Sequence, residues 1–181
     1  RGPDGYGYTL TDDGLVGLGH HRLAILDLSD TGVQPMATRD GRYVIIYNGE
    51  IYNHAELRAE LEGLGHAFRS RTDTEVALHA HAEWGKRCVN RFNGMFAYAV
   101  WDFEECELTL ARDRYGQKPL YYVAIPGGTF FFASEVKALL AAGHSAKVNE
   151  EALVEYLTYQ NYLGDRTLFA GVRILPPGCT M

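Results

Sequence analysis

Five residues of this sequence have side chains or backbone that could carry chemistry: Arg22, Asn48, Gly49, Glu50 and Asp73. Arg22 closes Gly-Leu-Gly-His-His-Arg and is followed by Leu-Ala-Ile-Leu. An arginine in such apolar surroundings needs a carboxylate, from the protein or from a ligand. An internal salt bridge to an acid such as Asp27 answers that need as well as a ligand does. Asn48-Gly49-Glu50 offers a carboxamide donor, an unhindered backbone N–H and a carboxylate. A side-chain amide beside a backbone N–H is the composition of an oxyanion hole, although Asn-Gly also marks ordinary turns. Asp73 falls where a helix begins, so it either favours the helix dipole or faces a cleft and binds a cation such as an ammonium group.

Other chemistries lack their residues. His20 and His21 are strand neighbours and point to opposite faces, and His79 and His81 have the wrong spacing on a helix, so no metal is expected. No Gly-x-Ser-x-Gly occurs, and Gly127-Gly128 has no Gly-Lys-Ser/Thr after it, which leaves neither a nucleophile elbow nor a phosphate loop. Cys88, Cys106 and Cys179 are widely spaced and contain no Cys-x-x-Cys pair. Reduced thiols of a cytoplasmic protein are the plain reading.

The elements that would position these residues can be read from periodicity. Tyr6–Thr11 and Leu15–His21 flank Asp12-Asp13-Gly14, a hairpin signal, and Arg42–Tyr47 forms a further strand. Leu57, Leu61 and Leu64 make one stripe of a helix, with Asn53 and Glu56 as its cap and capping partner. Thr72 and Glu75 repeat that pattern, which places Asp73 in the first turn of a second helix. Met95–Asp102, Leu108–Asp113, Pro119–Ile125 and Thr129–Ala133 read as strands. Ser134 is expected to cap a helix carrying Val136, Leu139 and Leu140, and Asn149 one carrying Leu153, Val154 and Leu157. Short connections between strands favour antiparallel sheets covered by helices over a parallel βαβ arrangement.

Composition sets the outer limits. The 181 residues are 46% apolar and 22% charged, a globular balance. A formal net charge of −6 without a Lys/Arg run argues against nucleic-acid and anionic-membrane partners. Apolar runs are too short for a bilayer, and the opening Arg-Gly-Pro-Asp-Gly is unlike a signal peptide. The ends, Arg1 without a preceding Met and Leu175-Pro-Pro-Gly-Cys-Thr-Met181, read as those of a piece of a longer protein.

The order of these stretches is more specific than any one of them. His20-His21-Arg22-Leu23-Ala24-Ile25, Asn48-Gly49-Glu50-Ile51-Tyr52-Asn53-His54, Arg71-Thr72-Asp73-Thr74-Glu75 and Asn93-Gly94-Met95-Phe96-Ala97 together resemble the class II glutamine amidotransferase domain. The stretches from Arg112 to Tyr122 and from Ala133 to Leu139 are similar to the glutamine-dependent asparagine synthetase branch. The resemblance implies a four-layer αββα sandwich of two antiparallel sheets, of the N-terminal-nucleophile type. It implies L-glutamine as substrate: Arg22 on its α-carboxylate, Asp73 on its α-ammonium, Asn48 and Gly49 as oxyanion hole. Glu50 would be a neighbouring contact, and the backbone from Leu23 through Ala24 and Ile25 to Leu26 would line the pocket. No cofactor is implied for this domain. ATP and Mg²⁺ would serve a synthetase domain of the same parent chain, which is expected to be a homodimer.

One part of the family pattern is not matched. The family's nucleophile is an N-terminal cysteine on a strand before the Arg-Gly-Pro-Asp motif, whose own α-amino group acts as base. Cys88, Cys106 and Cys179 do not fit that position. The expected fold therefore lacks its first strand, with residues 1–145 as the amidotransferase domain and 146–181 as the end of that domain and the start of the connection to a synthetase domain. A non-catalytic scaffold, as in β-lactam synthetase-like proteins, and an amidotransferase with another acceptor stand as alternatives.

Overall fold

A computed structural model describes residues 2–23, 27 and 30–181. The chain divides into two compact units, Arg1–Leu110 and Ala111–Met181. The sheets are antiparallel wherever their register is defined, and helices accompany them in both units.

In the first unit, β1 (Gly5–Leu10) and β2 (Gly17–Arg22) form a hairpin. Its turn is built as the Asp-Gly signal requires: Gly14 takes φ 68° and its N–H bonds Thr11 O, while Asp13 accepts from the Leu15 amide at 2.9 Å. A second sheet has the order β3 (Met36–Ala37), β4 (Tyr43–Ile51), β5 (Gly94–Asp102), β6 (Glu107–Arg112). Strand β4 differs from the sequence expectation. It does not end at Tyr47 but runs on through Asn48, Gly49 and Glu50, paired in register with Ala97, Phe96 and Met95 of β5.

Alternation along β4 assigns its faces. Ile45, Tyr47 and Ile51 are buried on one side, opposite Val100, Tyr98 and Gly94. Helix α2 (Asp73–Trp84) covers that side: its His81 ring meets Tyr98 edge-on at 6.3 Å. Phe92 meets Phe96 at 5.5 Å from the 3-10 segment that follows (Gly85–Arg91). Burial of these aromatic and branched side chains, at roughly 1.5–3 kcal/mol each, holds helix to sheet. Asn48 and Glu50 are on the opposite face.

Helix α1 (His54–Gly63) buries Leu57 and Leu61 as its stripe demands, but Leu64 lies past the helix and is 53% exposed. Asn53 precedes α1 without capping it. Its amide instead donates to Arg91 O at 3.0 Å and its carbonyl accepts from the Asn93 amide at 2.8 Å, which straps α1 to the start of β5. Thr72 does cap α2, accepting from the Glu75 amide at 3.2 Å.

In the second unit, β8 (Thr129–Ala133), β7 (Tyr121–Ile125) and β9 (Arg173–Ile174) form a sheet in that order. Val123, Leu139 and Val172 make its core with helix α3 (Val136–Ala141). Glu135, not Ser134, precedes α3, and no side chain caps it. Asn149 caps α4 (Glu150–Tyr159) as expected, accepting from the Ala152 amide at 3.2 Å. The stripe of α4 is another matter: Ala152 is buried, while Leu153, Val154 and Leu157 are 38%, 64% and 73% exposed.

The Arg112–Lys118 stretch is explained here by structure alone. Arg112 donates to Lys118 O at 2.7 Å, Leu175 O at 2.6 Å and Gly116 O at 2.5 Å. Asp113 is fully buried and accepts from the amides of Tyr115, Gln117 and Lys118, each at 3.0 Å. Its carbonyl takes the Gly178 amide at 2.8 Å. Gly116 has φ 64°, and a Cβ there would sit 2.8 Å from Pro177 and 3.0 Å from the Arg112 guanidinium, so only glycine fits. Among the described residues no helix is long and apolar enough to cross a membrane.

Candidate functional site

Ladder alternation decides what the edge of β4 away from β5 can offer. The amides of Tyr43, Ile45, Tyr47, Gly49 and Ile51 point to that edge, since Tyr52 N and Arg42 O on the intervening parity bond to Asn93 and Phe103 on the β5 side. Residues Met36–Ala37 of β3 pair only with Ile45 and Val44. Beyond them the edge is met by side chains. Tyr47 N donates to Gln34 Oε1 at 2.6 Å, and Ile51 N donates to Asp73 Oδ2 at 2.8 Å. The Gly49 amide lies between these two and points the same way.

Gly49 has a stringent packing reason to be glycine. A Cβ would collide with the Met95 carbonyl and come within 2.6 Å of Phe96 Cα. The close approach is that of strand β5, which differs from the turn that Asn-Gly suggests. Asn48 and Glu50, both part-exposed, flank it on the face away from α2.

Asp73 sits at the first position of α2, and the residue is 6% exposed. It accepts the Tyr47 hydroxyl at 3.0 Å and the Ile51 amide at 2.8 Å, both uncharged donors. Burial raises its pKa above 3.8 even though these bonds oppose the shift. Burial, with the Asp73 charge second, pushes the Tyr47 phenol well above its usual value, so the hydroxyl stays a donor. Such an acid gains from a cation arriving beside it.

Arg22 ends β2 with its side chain buried, and its Nη2 donates to the main-chain carbonyl of Asp27. The Asp27 carboxylate accepts the Arg71 amide at 2.9 Å, two residues before Asp73. Gly32 brings the groups closer still, since a Cβ on it would strike the Arg22 guanidinium and lie 2.9 Å from the Thr72 methyl. Arg22 and the start of α2 therefore share one neighbourhood. Leu23 is 61% exposed. Ala24, Ile25 and Leu26 lie outside the described residues.

Sequence reasoning missed Glu75 as the brace of this region. It is 1% exposed and accepts the amides of Arg69 and Ser70 and the Ser70 hydroxyl at 2.9, 2.6 and 2.7 Å. Burial alone would raise its pKa, but His79, Ser70 and the two amides outweigh it and bring it to about 2. The signal was present as the Thr72-x-x-Glu75 spacing, which suggested a reciprocal capping box. The carboxylate reaches the loop before the cap instead. His20 was set aside as a metal ligand. Its buried Nδ1 has no partner, its ring bonds the Tyr47 main chain, and burial lowers its pKa.

The cysteines separate by environment. Cys88 is fully buried beside the Tyr98 hydroxyl at 3.5 Å, and burial pushes its thiol up to about 11. Cys106 is exposed in the turn between β5 and β6, and Cys179 is part-buried in the second unit. Among the described residues no three His, Cys, Asp or Glu side chains could hold a metal ion. A cavity of about 410 Å³ lined by Thr38, Asp40, His66 and His79 includes none of the five residues above.

The sequence matches the glutamine amidotransferase domain family over residues 1–181. Glutamine-hydrolysing asparagine synthetase 1 of Bacillus subtilis is 42% identical over 178 residues, which is 98% of this chain and 28% of that protein. Asparagine synthetase 3 of the same organism is 48% identical over 143 residues, 78% of this chain and 23% of its own length. The chain thus spans under a third of these relatives. Glutamine phosphoribosylpyrophosphate amidotransferase of B. subtilis superposes on 70% of the chain with TM-score 0.59 and 25% identity, covering 29% of that structure. Its fold is the N-terminal-nucleophile type.

Proposed function

The chain belongs to the glutamine amidotransferase domain family, and on that premise we propose that the side-chain amide of L-glutamine is cleaved at the β4 edge. The observation that carries the reading is the Gly49 amide, set between two amides already claimed by Gln34 and Asp73. Arg22 binds the substrate α-carboxylate through its planar fork. Asp73 binds the α-ammonium, with Glu50 as a neighbouring contact and the backbone of Leu23, Ala24, Ile25 and Leu26 along the pocket. Asn48 and the Gly49 N–H hold the oxygen as the carbonyl becomes tetrahedral, where loss of one donor costs about 10²–10³ in rate.

The attacking group is a cysteine thiol whose proton passes to its own α-amino group as the sulfur attacks. Attack forms a C–S bond, collapse of the tetrahedral intermediate expels ammonia with that proton, and water releases glutamate from the thioester. The buried, high-pKa Cys88 is unsuited to this work, and the reading assigns it to none of Cys88, Cys106 and Cys179.

In the longer parent the ammonia is passed to a synthetase domain that amidates aspartate with ATP and Mg²⁺. Residues 1–145 serve as the body of the amidotransferase domain and 146–181 as its end and the start of the connection to the synthetase, in a cytoplasmic homodimer. The relatives' names support a glutamine-hydrolysing asparagine synthetase as the parent. Arg22→Lys in the longer protein tests it. The glutamine KM should rise at least about tenfold, a loss near 1.4 kcal/mol, while ammonia-driven synthesis keeps its rate. Equal loss of both activities makes Arg22 a structural residue and defeats the assignment.

A further inference from the structure

Helix α4 wears its amphipathic pattern inside out. A surface helix ordinarily turns its apolar stripe to the core and its charges to water. In α4 the core side is held by Ala152, and the acids are tied down: Glu155 pairs with Arg166 and accepts the Leu163 amide at 3.2 Å. Glu151 lies 3.8 Å from the same guanidinium. Leu153, Val154 and Leu157 fall within about one third of the helix circumference, on the side turned from Ala152. Leu163, just past the helix end, is 56% exposed but lies on the Glu155 side, where that carboxylate accepts its amide. A contiguous apolar face of this kind marks a contact surface.

We infer that the Leu153–Val154–Leu157 face of α4 is the seat of an apolar surface of the synthetase part carried by the same longer polypeptide. Two observations select that occupant. The relatives continue for more than twice the length of this chain beyond what it matches, so a large further body is tethered nearby, and tethering gives such a body a high effective concentration. The charges of α4 are spent on Arg166 within its own unit, which leaves the outward face uncharged apart from Glu150 and suits a permanent apolar contact more than a transient polar one. The inference rests on the chain being the amidotransferase part of a synthetase.

The test is hydroxyl-radical footprinting of the longer protein, read at Leu153, Val154 and Leu157, with sedimentation at two protein concentrations. The face should be labelled at least about fivefold more slowly than its exposure in this chain alone allows, equally at both concentrations. Leu157→Glu should raise labelling of Leu153 and Val154 severalfold, and Leu157→Met should not. Protection that disappears on dilution assigns the face to a second copy and overturns the inference, as does free labelling in the wild type. If glutamine is not hydrolysed but the face is protected, the activity reading fails and the docking surface stands. With hydrolysis intact, Leu157→Glu should lower the amide product formed per glutamine consumed.

Discussion

The Ile51 amide donates to the Asp73 carboxylate at 2.8 Å, so the acid assigned to the substrate ammonium also finishes the edge of β4. Binding and architecture are joined in one side chain. A second donor, the Tyr47 hydroxyl at 3.0 Å, deepens that dependence.

Replacing Asp73 by alanine therefore strips two buried donors of their acceptor, at about 1–3 kcal/mol each. Asp73→Asn keeps an acceptor oxygen and removes only the charge. Because burial raises the Asp73 pKa above 3.8, its ionised form opposes folding at neutral pH, and the stability gained on protonation is lost as pH rises through the folded value. Thermal melting at pH 7 should show Asp73→Asn as stable as the wild type or slightly more so, and Asp73→Ala several degrees lower. The glutamine KM of the longer wild-type protein should rise as pH falls toward the Asp73 pKa, whereas Asp73→Asn should show a high, flat profile.

Asn48 and Gly49 should respond in opposite ways. Gly49→Ala drives a methyl into the Met95–Phe96 backbone, and overpacking of that kind costs about 1–3 kcal/mol. Asn48→Ala removes a part-exposed side chain and should leave denaturant midpoints almost unchanged. In the longer protein it should reduce glutaminase turnover by about 10²–10³. If Asn48→Ala retains full turnover, the oxyanion assignment is wrong.

Glu75 sets an acid limit on the first unit. Its pKa is about 2 in the folded chain against 4.5 for an unperturbed glutamate. A depressed carboxylate stabilises above the unfolded value and loses that contribution as pH falls from 4.5 toward 2. A shift of this size corresponds to about 3 kcal/mol. Urea titrations of Glu75→Gln should show lower stability at pH 7 and a shallower decline below pH 4.5 than the wild type.

Thiol labelling gives a further check. At neutral pH iodoacetamide should modify exposed Cys106 first, while Cys88, with its thiol pushed up to about 11, should react only on unfolding. Mass spectrometry of the timed digest reads the order directly. Early modification of Cys88 would contradict the burial described for it.

Much of this arrangement is legible in the sequence, for local reasons. Gly14 ends a hairpin because the turn needs positive φ, and Thr72 starts α2 because its oxygen takes the Glu75 amide. Asp73 in the first turn follows at once, and Arg22 in an apolar strand asks for a partner. What escaped depends on distant segments. Asn-Gly read as the end of a strand, yet the partner strand β5 carries β4 through to Ile51. Asn53 read as a cap, yet its amide donates to Arg91 O and its carbonyl accepts the Asn93 N–H. Leu153, Val154 and Leu157 read as part of a helix, but periodicity reports a face without saying what that face meets.

The hydrogen bonds of Arg112 and Asp113 have a consequence for chain entropy. They fasten Leu175 and Gly178 to residues about 60 positions earlier, closing a loop whose free ends would otherwise sample many arrangements. A disulfide across the same span would restrict the unfolded chain permanently. This polar clasp exists only when folded, so it confers no such restriction and needs no oxidant. A chain cut before Leu175 would leave the buried Arg112 guanidinium one acceptor short and the turn around Asp113 open on one side.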